Sequence, residues 1–264
     1  TSCGASGSIS IGTGTASGGD GGDIMIKVGD GNTLDGGHLF LFAGKSYGNL
    51  DSTGGSISIR SGFSNVRSSG TIIIRTLNSG TIGVSGELMF STGTTSSGAS
   101  GSISIGTGKT KGGESGGITV DVGTTVTDDK GGDIKVEAGT TTGNADGGSI
   151  TVQAGNTDGD TTGDGGLINI YAGYSQSKTG GTISMASGYG KSMSSGSIII
   201  RTLDGGVTGV SGELMFSTGT TSAGASGSIS IGTGTASAGD GGDITLKVGT
   251  GNTLDGGHIS IFAG

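Results

Sequence analysis

Acidic residues beside glycine are the part of this sequence that comes nearest to a chemical site. Residues 18–23 read Gly-Gly-Asp-Gly-Gly-Asp, and similar runs occur at 163–166 and 239–243. Two carboxylates on neighbouring repeats, with backbone carbonyls, can hold Ca²⁺, which prefers oxygen ligands. The residues spaced for this are Asp20 with Asp35 and Asp240 with Asp255. Asp is also a common turn residue, so we expect corner positions with a weak calcium site at most and no other cofactor.

Catalysis has less support than calcium binding. Glu87 and Glu213 lie 126 residues apart, and His38 and His258 occupy matching positions far from each other in sequence. Sugar-cleaving enzymes need two carboxyl groups on either side of one bond, and no such pair is evident. The single cysteine, Cys3, excludes an intramolecular disulfide. We therefore predict that the protein is not an enzyme.

The composition narrows the class of protein further. Glycine supplies 65 of 264 residues and proline none, yet no Gly-X-Y triplet runs through the chain, so collagen is excluded. A net charge of −8 disfavours nucleic acid and anionic membrane surfaces, which attract basic proteins. No apolar stretch approaches the roughly 20 residues of a membrane-spanning helix. We expect neither nucleic acid nor membrane insertion among its interactions.

A short apolar run recurs through the whole chain, and this repeat is the main signal in the sequence. The first apolar residue of each run defines position 0 of a unit; there are 17 units, at steps of 15, 16 or 18 residues. The position-0 residues are Ile9, Ile24, Leu39, Ile57, Ile72, Leu88, Ile103, Ile118, Ile134, Ile150, Ile168, Ile183, Ile198, Leu214, Ile229, Ile244 and Ile259.

Glycine flanks each run in a fixed register. It stands at position −2 in every unit and at +5 in 15 of 17, the exceptions being Leu77 and Leu203. Positions 0, +2 and +4 are mostly apolar and alternate with polar residues, the pattern of a half-buried strand. Small residues at +7 and +9 suggest a second strand. We predict an all-β fold, a parallel β-solenoid of about 17 coils with two short strands per coil and glycine-rich corners, many at positive φ.

A longer repeat is superimposed on the units. The block GVSGELMFSTGTTSSGASGSISIGTG at 83–108 returns nearly intact at 209–234, a spacing of 126 residues or eight units. We therefore predict one continuous domain over 1–264, with a superrepeat at 83–208 that begins again at 209–264. Because the chain opens part-way through a superrepeat, we expect it to be a fragment of a longer protein.

That block, with units such as GGDITLKVG and GGSISIRSG, resembles the glycine-rich tandem-repeat surface proteins of diatoms and other microalgae. The resemblance covers essentially the whole chain. It implies a secreted or cell-surface structural protein and transfers no site residues.

Large apolar residues recur at the outward positions +1 and +3, where a strand would face water. Such recurrence is typical of a contact surface. We predict a structural protein that forms an extracellular rod, filament or wall appendage by contacts between copies of itself, with O-linked glycans on its Ser/Thr-rich loops. The alternative is an ice- or mineral-binding protein that uses a flat Ser/Thr face. The predicted assembly contacts are Phe40, Phe42, Ile73, Met89, Ile199, Met215 and Phe262.

Overall fold

The computed structural model describes residues 6–48, 52–158, 163–252 and 255–263. None of these residues forms a helix or a β-strand. The predicted all-β class and the parallel β-solenoid are therefore wrong. The chain divides into two compact units, Thr1–Ile134 and Lys135–Gly264, and none of its described segments is a long apolar helix able to cross a membrane.

The apolar positions are not buried, which explains why no sheet forms. Ile24 and Ile26, predicted to face a core, are 54% and 67% exposed, and no side chain within the described ranges is buried. In a solenoid, the stacking of successive units would have to offset the conformational entropy that is lost when each unit is ordered. That entropy loss is large in a glycine-rich backbone. The two large apolar residues of a unit cannot offset that cost alone, so the segments stay irregular.

The sequence repeat survives as a regular series of bends. Each bend found among the described residues begins at position +8 or +9 of its unit, after the apolar run. The bends that lie wholly within described residues are 17–19, 32–34, 65–67, 81–83, 96–98, 111–113, 127–129, 142–145, 176–178, 191–193, 207–209, 222–224 and 237–239.

Position +7 prepares the bend, and this replaces the predicted second strand. In seven of the ten units with Ser or Thr at +7, its hydroxyl oxygen accepts a hydrogen bond from a backbone N–H two or three residues later, as Ser64 does from Arg67 at 3.0 Å. Thr110 also donates to the carbonyl of Gly112, at 2.8 Å. Side chains of this kind stabilise turns locally. The small residues at +7 are therefore turn residues and not the inward face of a strand.

The glycine at −2, which we call the closing glycine, meets the end of the preceding apolar run. In most units its backbone or Cα lies beside residues +4 and +5 of the unit before, so the residues between them form a loop with its two ends together. At Gly148, a Cβ would lie 3.1 Å from the backbone N of Gly139 and 3.3 Å from the Cβ of Ala138. Glycine is required there by close approach.

Positive φ occurs elsewhere in the unit. Among described residues it is confined to five glycines in the bends, at +10 or +11: Gly83, Gly98, Gly113, Gly224 and Gly239. The prediction that many of the corner glycines at −2, such as Gly7, Gly22 and Gly132, have positive φ is wrong, and most of these closing glycines instead lie where a Cβ would be crowded.

Position 0 is half covered, and the cover comes from the preceding unit. Ile9, the first of the position-0 residues described, is 93% exposed, whereas Ile259, the last of them, is 51% exposed. The remaining position-0 residues range from 46% to 57%. Contact between successive units is therefore directional but too slight to build a core.

Candidate assembly surface

A short aromatic stack is the best-defined side-chain cluster on the outward positions. The ring centroids of Phe40 and Phe42 are 5.8 Å apart and nearly parallel, at 14°. His38 lies 5.8 Å from Phe40 with its ring tilted by 43°. Rings separated by two residues can meet only if positions −1, +1 and +3 lie on one side of an extended backbone. The predicted alternation is therefore correct in this unit, although no strand forms.

The same alternation is visible in a polar unit. Lys135 and Glu137, at +1 and +3, form an ion pair of 2.8 Å between side chains two residues apart. Both side chains are largely exposed, so the pair adds little stability. Its value here is geometric, because it shows that +1 and +3 share a side in a second, unrelated unit.

All seven predicted assembly contacts are exposed. Their relative exposure lies between 69% and 91%. The structure brings Phe40 and Phe42 together. The matching copy lacks this stack, because Ser260 stands where Phe40 does and leaves Phe262 without its neighbour in the sequence. The remaining predicted contacts are Ile73, Met89, Ile199 and Met215.

A concavity of about 440 Å³ is formed by residues that follow the predicted contact Ile73 closely in the sequence. It is lined by Arg75, Thr76, Leu77 and Asn78. Leu77 replaces the glycine usual at +5, so this loop carries a side chain where most units have none.

The acidic positions do not converge. Over the described ranges, no three His, Cys, Asp or Glu side chains come close enough together to hold a metal ion. Asp20 and Asp240 directly follow the bends at 17–19 and 237–239. Ca²⁺ takes six to eight oxygen ligands, so two carboxylates would leave most positions to backbone and water. Calcium binding at Asp20, Asp35, Asp240 and Asp255 stays a prediction.

Other acidic side chains pair locally with lysines. Lys27 lies 3.2 Å from Asp30, and Lys130 lies 2.6 Å from Asp133. Each pair spans three residues and both partners are well exposed. Pairs of this kind hold loop geometry and contribute little to stability.

Comparison with family models, with curated proteins and with solved structures found no match to this chain. The resemblance to microalgal glycine-rich repeat proteins therefore rests on the residues alone and stays a prediction. Function has to be argued from the surface just described.

Proposed function

We propose that this chain is a structural repeat protein of the cell surface or extracellular space that assembles with copies of itself. Assembly uses the outward positions +1 and +3, where Phe40, Phe42 and Phe262 are the largest wholly apolar side chains. In this proposal the chain acquires its apolar contacts from its neighbours and not from its own fold.

The observation that carries the proposal is the amount of surface left uncovered. The accessible surface is 26856 Å², whereas a folded monomer of 25.0 kDa exposes about 10,000 Å². A fully unfolded chain of this mass exposes roughly 36,000 Å². The excess over a folded monomer is about ten times the roughly 1,600 Å² of a standard protein interface. Association can therefore bury far more surface than the chain buries alone.

Composition favours association over a permanently solvated chain. Solvated disordered segments combine low hydrophobicity with high net charge. Here only 13% of residues are charged and 30% are hydrophobic. The apolar residues also recur in register, so neighbouring copies can match one repeat against another.

The alternative function, binding to ice or a mineral surface, needs a flat and regular Ser/Thr array. The described residues form no sheet on which such an array could lie. Several hydroxyls at +7, including those of Ser64 and Thr110, are already engaged in turns. No observation in the structure favours this alternative over assembly.

Sedimentation velocity across a concentration series, with electron microscopy of the same samples, tests the proposal. We expect the wild-type chain to associate as concentration rises. Replacing both Phe42 and Phe262 by Lys should weaken association by about tenfold or more, since each buried Phe contributes about 1.5–3 kcal/mol. Tyr174→Lys, at the loop position +6, is a control for an added lysine outside positions +1 and +3 and should associate as the wild type does.

Two results would contradict the proposal. The first is a wild-type chain that stays monomeric up to its solubility limit. The second is equal weakening by Tyr174→Lys, which would mean that added charge and not the outward positions controls association. Antibody labelling of intact source cells would test the extracellular location independently.

A further inference from the structure

Two isolated charges of opposite sign stand in the most neutral part of the chain. Between residues 68 and 108 the only charged residues are Arg75 and Glu87, although the whole chain carries −8. Arg75 lies at +3 beside Ile73 at +1, and Glu87 lies at −1 beside Met89 at +1. Together these four residues define the first patch.

The structure places the two halves of the first patch at one point. Thr76 and Gly86 touch, since a Cβ on Gly86 would lie 3.4 Å from the Cγ2 of Thr76. Arg75 and Glu87 are the immediate chain neighbours of these two residues. No ion pair within 4.0 Å joins Arg75 or Glu87 to any other residue described by the structure. Arg75 and Glu87 are both exposed and flank two residues that lie close in space, and neither forms an ion pair within the described part of the chain.

The second compact unit repeats the arrangement, with one additional charge, Asp204, where the first patch has Asn78. Ile199, Arg201, Glu213 and Met215 form the second patch, 126 residues further on. Here a Cβ on Gly212 would lie 3.3 Å from the Cγ2 of Thr202, so the local geometry is the same. As in the first patch, none of the ion pairs found among the described residues involves Arg201 or Glu213.

We propose that each patch docks on a patch of a second copy of this chain, with Arg75 or Arg201 facing Glu87 or Glu213 of the partner. The spacing fits such a pairing. Arginine and the apolar residue before it are two residues apart, and so are glutamate and the apolar residue after it. When the first patches of two copies lie antiparallel, Ile73 of one copy meets Met89 of the other. In the same arrangement, Arg75 of the first copy meets Glu87 of the second.

This pairing is self-complementary, so one two-fold contact forms both ion pairs and both apolar contacts. The neutral patch is also where two chains of net charge −8 repel each other least. The concavity beside Arg75 gives room for a side chain from the partner. Opposite charges in such a contact set register and partner choice more than raw affinity.

The inference rests on the proposed homotypic assembly and specifies its register. Two charge-reversed variants test it by sedimentation velocity. The acidic variant carries Arg75→Glu with Arg201→Glu, and the basic variant carries Glu87→Arg with Glu213→Arg. Each alone would place like charges opposite each other and should associate at least about tenfold more weakly than the wild type. An equimolar mixture should recover wild-type association, because acidic and basic variants restore both pairs.

The effect of net charge on association must be distinguished from the effect of breaking the proposed ion pairs. The acidic variant shifts the net charge from −8 to −12, because each replacement changes it by −2. The control is Lys109→Glu with Lys191→Glu, which gives the same net charge outside both patches and should associate within about threefold of the wild type. A variant with all four patch charges reversed should self-associate as the wild type does.

The outcomes of this experiment distinguish a failure of the ion-pair register from a failure of the proposed homotypic assembly. Wild-type association with unaffected charge-reversed variants would overturn the ion-pair register while leaving assembly in place. Weakened variants whose mixture does not recover would overturn it as well. A wild-type chain that never associates would overturn both. Recovery in the mixture, with an unaffected lysine control, supports the register.

Discussion

The closing glycine shows how one missing Cβ shapes each unit. Alanine at −2 would bring its Cβ to 3.3 Å or less from the preceding run in 11 of the 17 units, closer than a Cβ usually sits to non-bonded atoms. Glycine at +5 is different: next to Gly139, for example, there is open space for a Cβ. The glycines at −2 and +5 look alike in the sequence, but they therefore differ in how well they tolerate replacement by alanine.

Gly148→Ala should open its loop, whereas Gly139→Ala should not. In the wild type the Gly148 N–H donates to the Gly139 carbonyl at 2.9 Å. Loss of this bond, worth about 0.5–1.5 kcal/mol net, should speed hydrogen exchange at residue 148 by about two- to tenfold. Amide exchange measured by NMR reports the change. Equal acceleration in both variants would show that the Cβ contact does not hold the loop.

Sequence reasoning found the closing glycines but gave the wrong reason for them. Their strict spacing was visible, and the prediction of positive φ followed from what glycine does in turns. Close approach could not be inferred, because it depends on which residue the chain returns to. The residues that do take positive φ, such as Gly98 and Gly113, lie in the bend and are less regular in the sequence.

At the scale of the loop, the residue at +4 decides how the loop closes. The described loops with Ala or Ser at +4 and a following closing glycine all have a Gly–Gly hydrogen bond of 2.8–2.9 Å. With Val28 and Val248 the bond lengthens to 3.1 and 3.2 Å, whereas the loop with Val122 and the described loops with Thr at +4 have none. A branched side chain occupies the space between the two backbones. In two of the threonine loops the hydroxyl compensates, as Thr13 does by donating to the Gly22 carbonyl at 2.8 Å.

Exchanging the two kinds of residue should exchange the two kinds of loop. Ala138→Thr should break the bond between Gly148 and Gly139, and Thr107→Ala should let the Gly116 N–H reach the Gly108 carbonyl. Hydrogen exchange should therefore become faster at Gly148 in the first variant and slower at Gly116 in the second, each by about two- to tenfold. Unchanged exchange at both glycines would mean that +4 does not control closure.

The period of the units could be predicted from the sequence, and so could the alternation of sides within a run. The stack of Phe40 on Phe42 confirms the alternation locally. The pairing of runs into a sheet was wrong, because period-two patterning also describes an isolated extended segment. Burial of the apolar side chains decides whether such runs pair into a sheet or stay isolated. That burial depends on contacts between units, which the pattern does not specify. The candidate surface was predictable for its apolar residues but not for Arg75 and Glu87, whose significance lies in their lack of partners.

On the scale of the whole molecule, the monomer should lack a cooperative unfolding transition. A globular two-state protein of 264 residues absorbs roughly 185 kcal/mol on unfolding near 60 °C. With no side chain buried among the described residues, the dilute monomer should show no heat-absorption peak of that size in scanning calorimetry. A peak should appear only at concentrations where the chain associates. A sharp, concentration-independent peak would contradict the uncovered surface described here.

The closing bonds also have a mechanical consequence. Among the described residues, eight closing glycines donate a hydrogen bond to the carbonyl of the glycine at +5 of the preceding unit. Each bond closes a loop of eight to eleven residues, and a force that pulls on the chain does not extend that loop until the bond breaks. A nine-residue loop released under tension adds roughly 27 Å of contour length, at about 3.4 Å per residue with the closed gap of about 3 Å subtracted. The loops would yield one at a time, and each rupture would dissipate energy without breaking a covalent bond. A fibre built from this chain would therefore stretch in steps, with the two loops closed beside valine, whose bonds are longer, giving way before those closed beside alanine or serine.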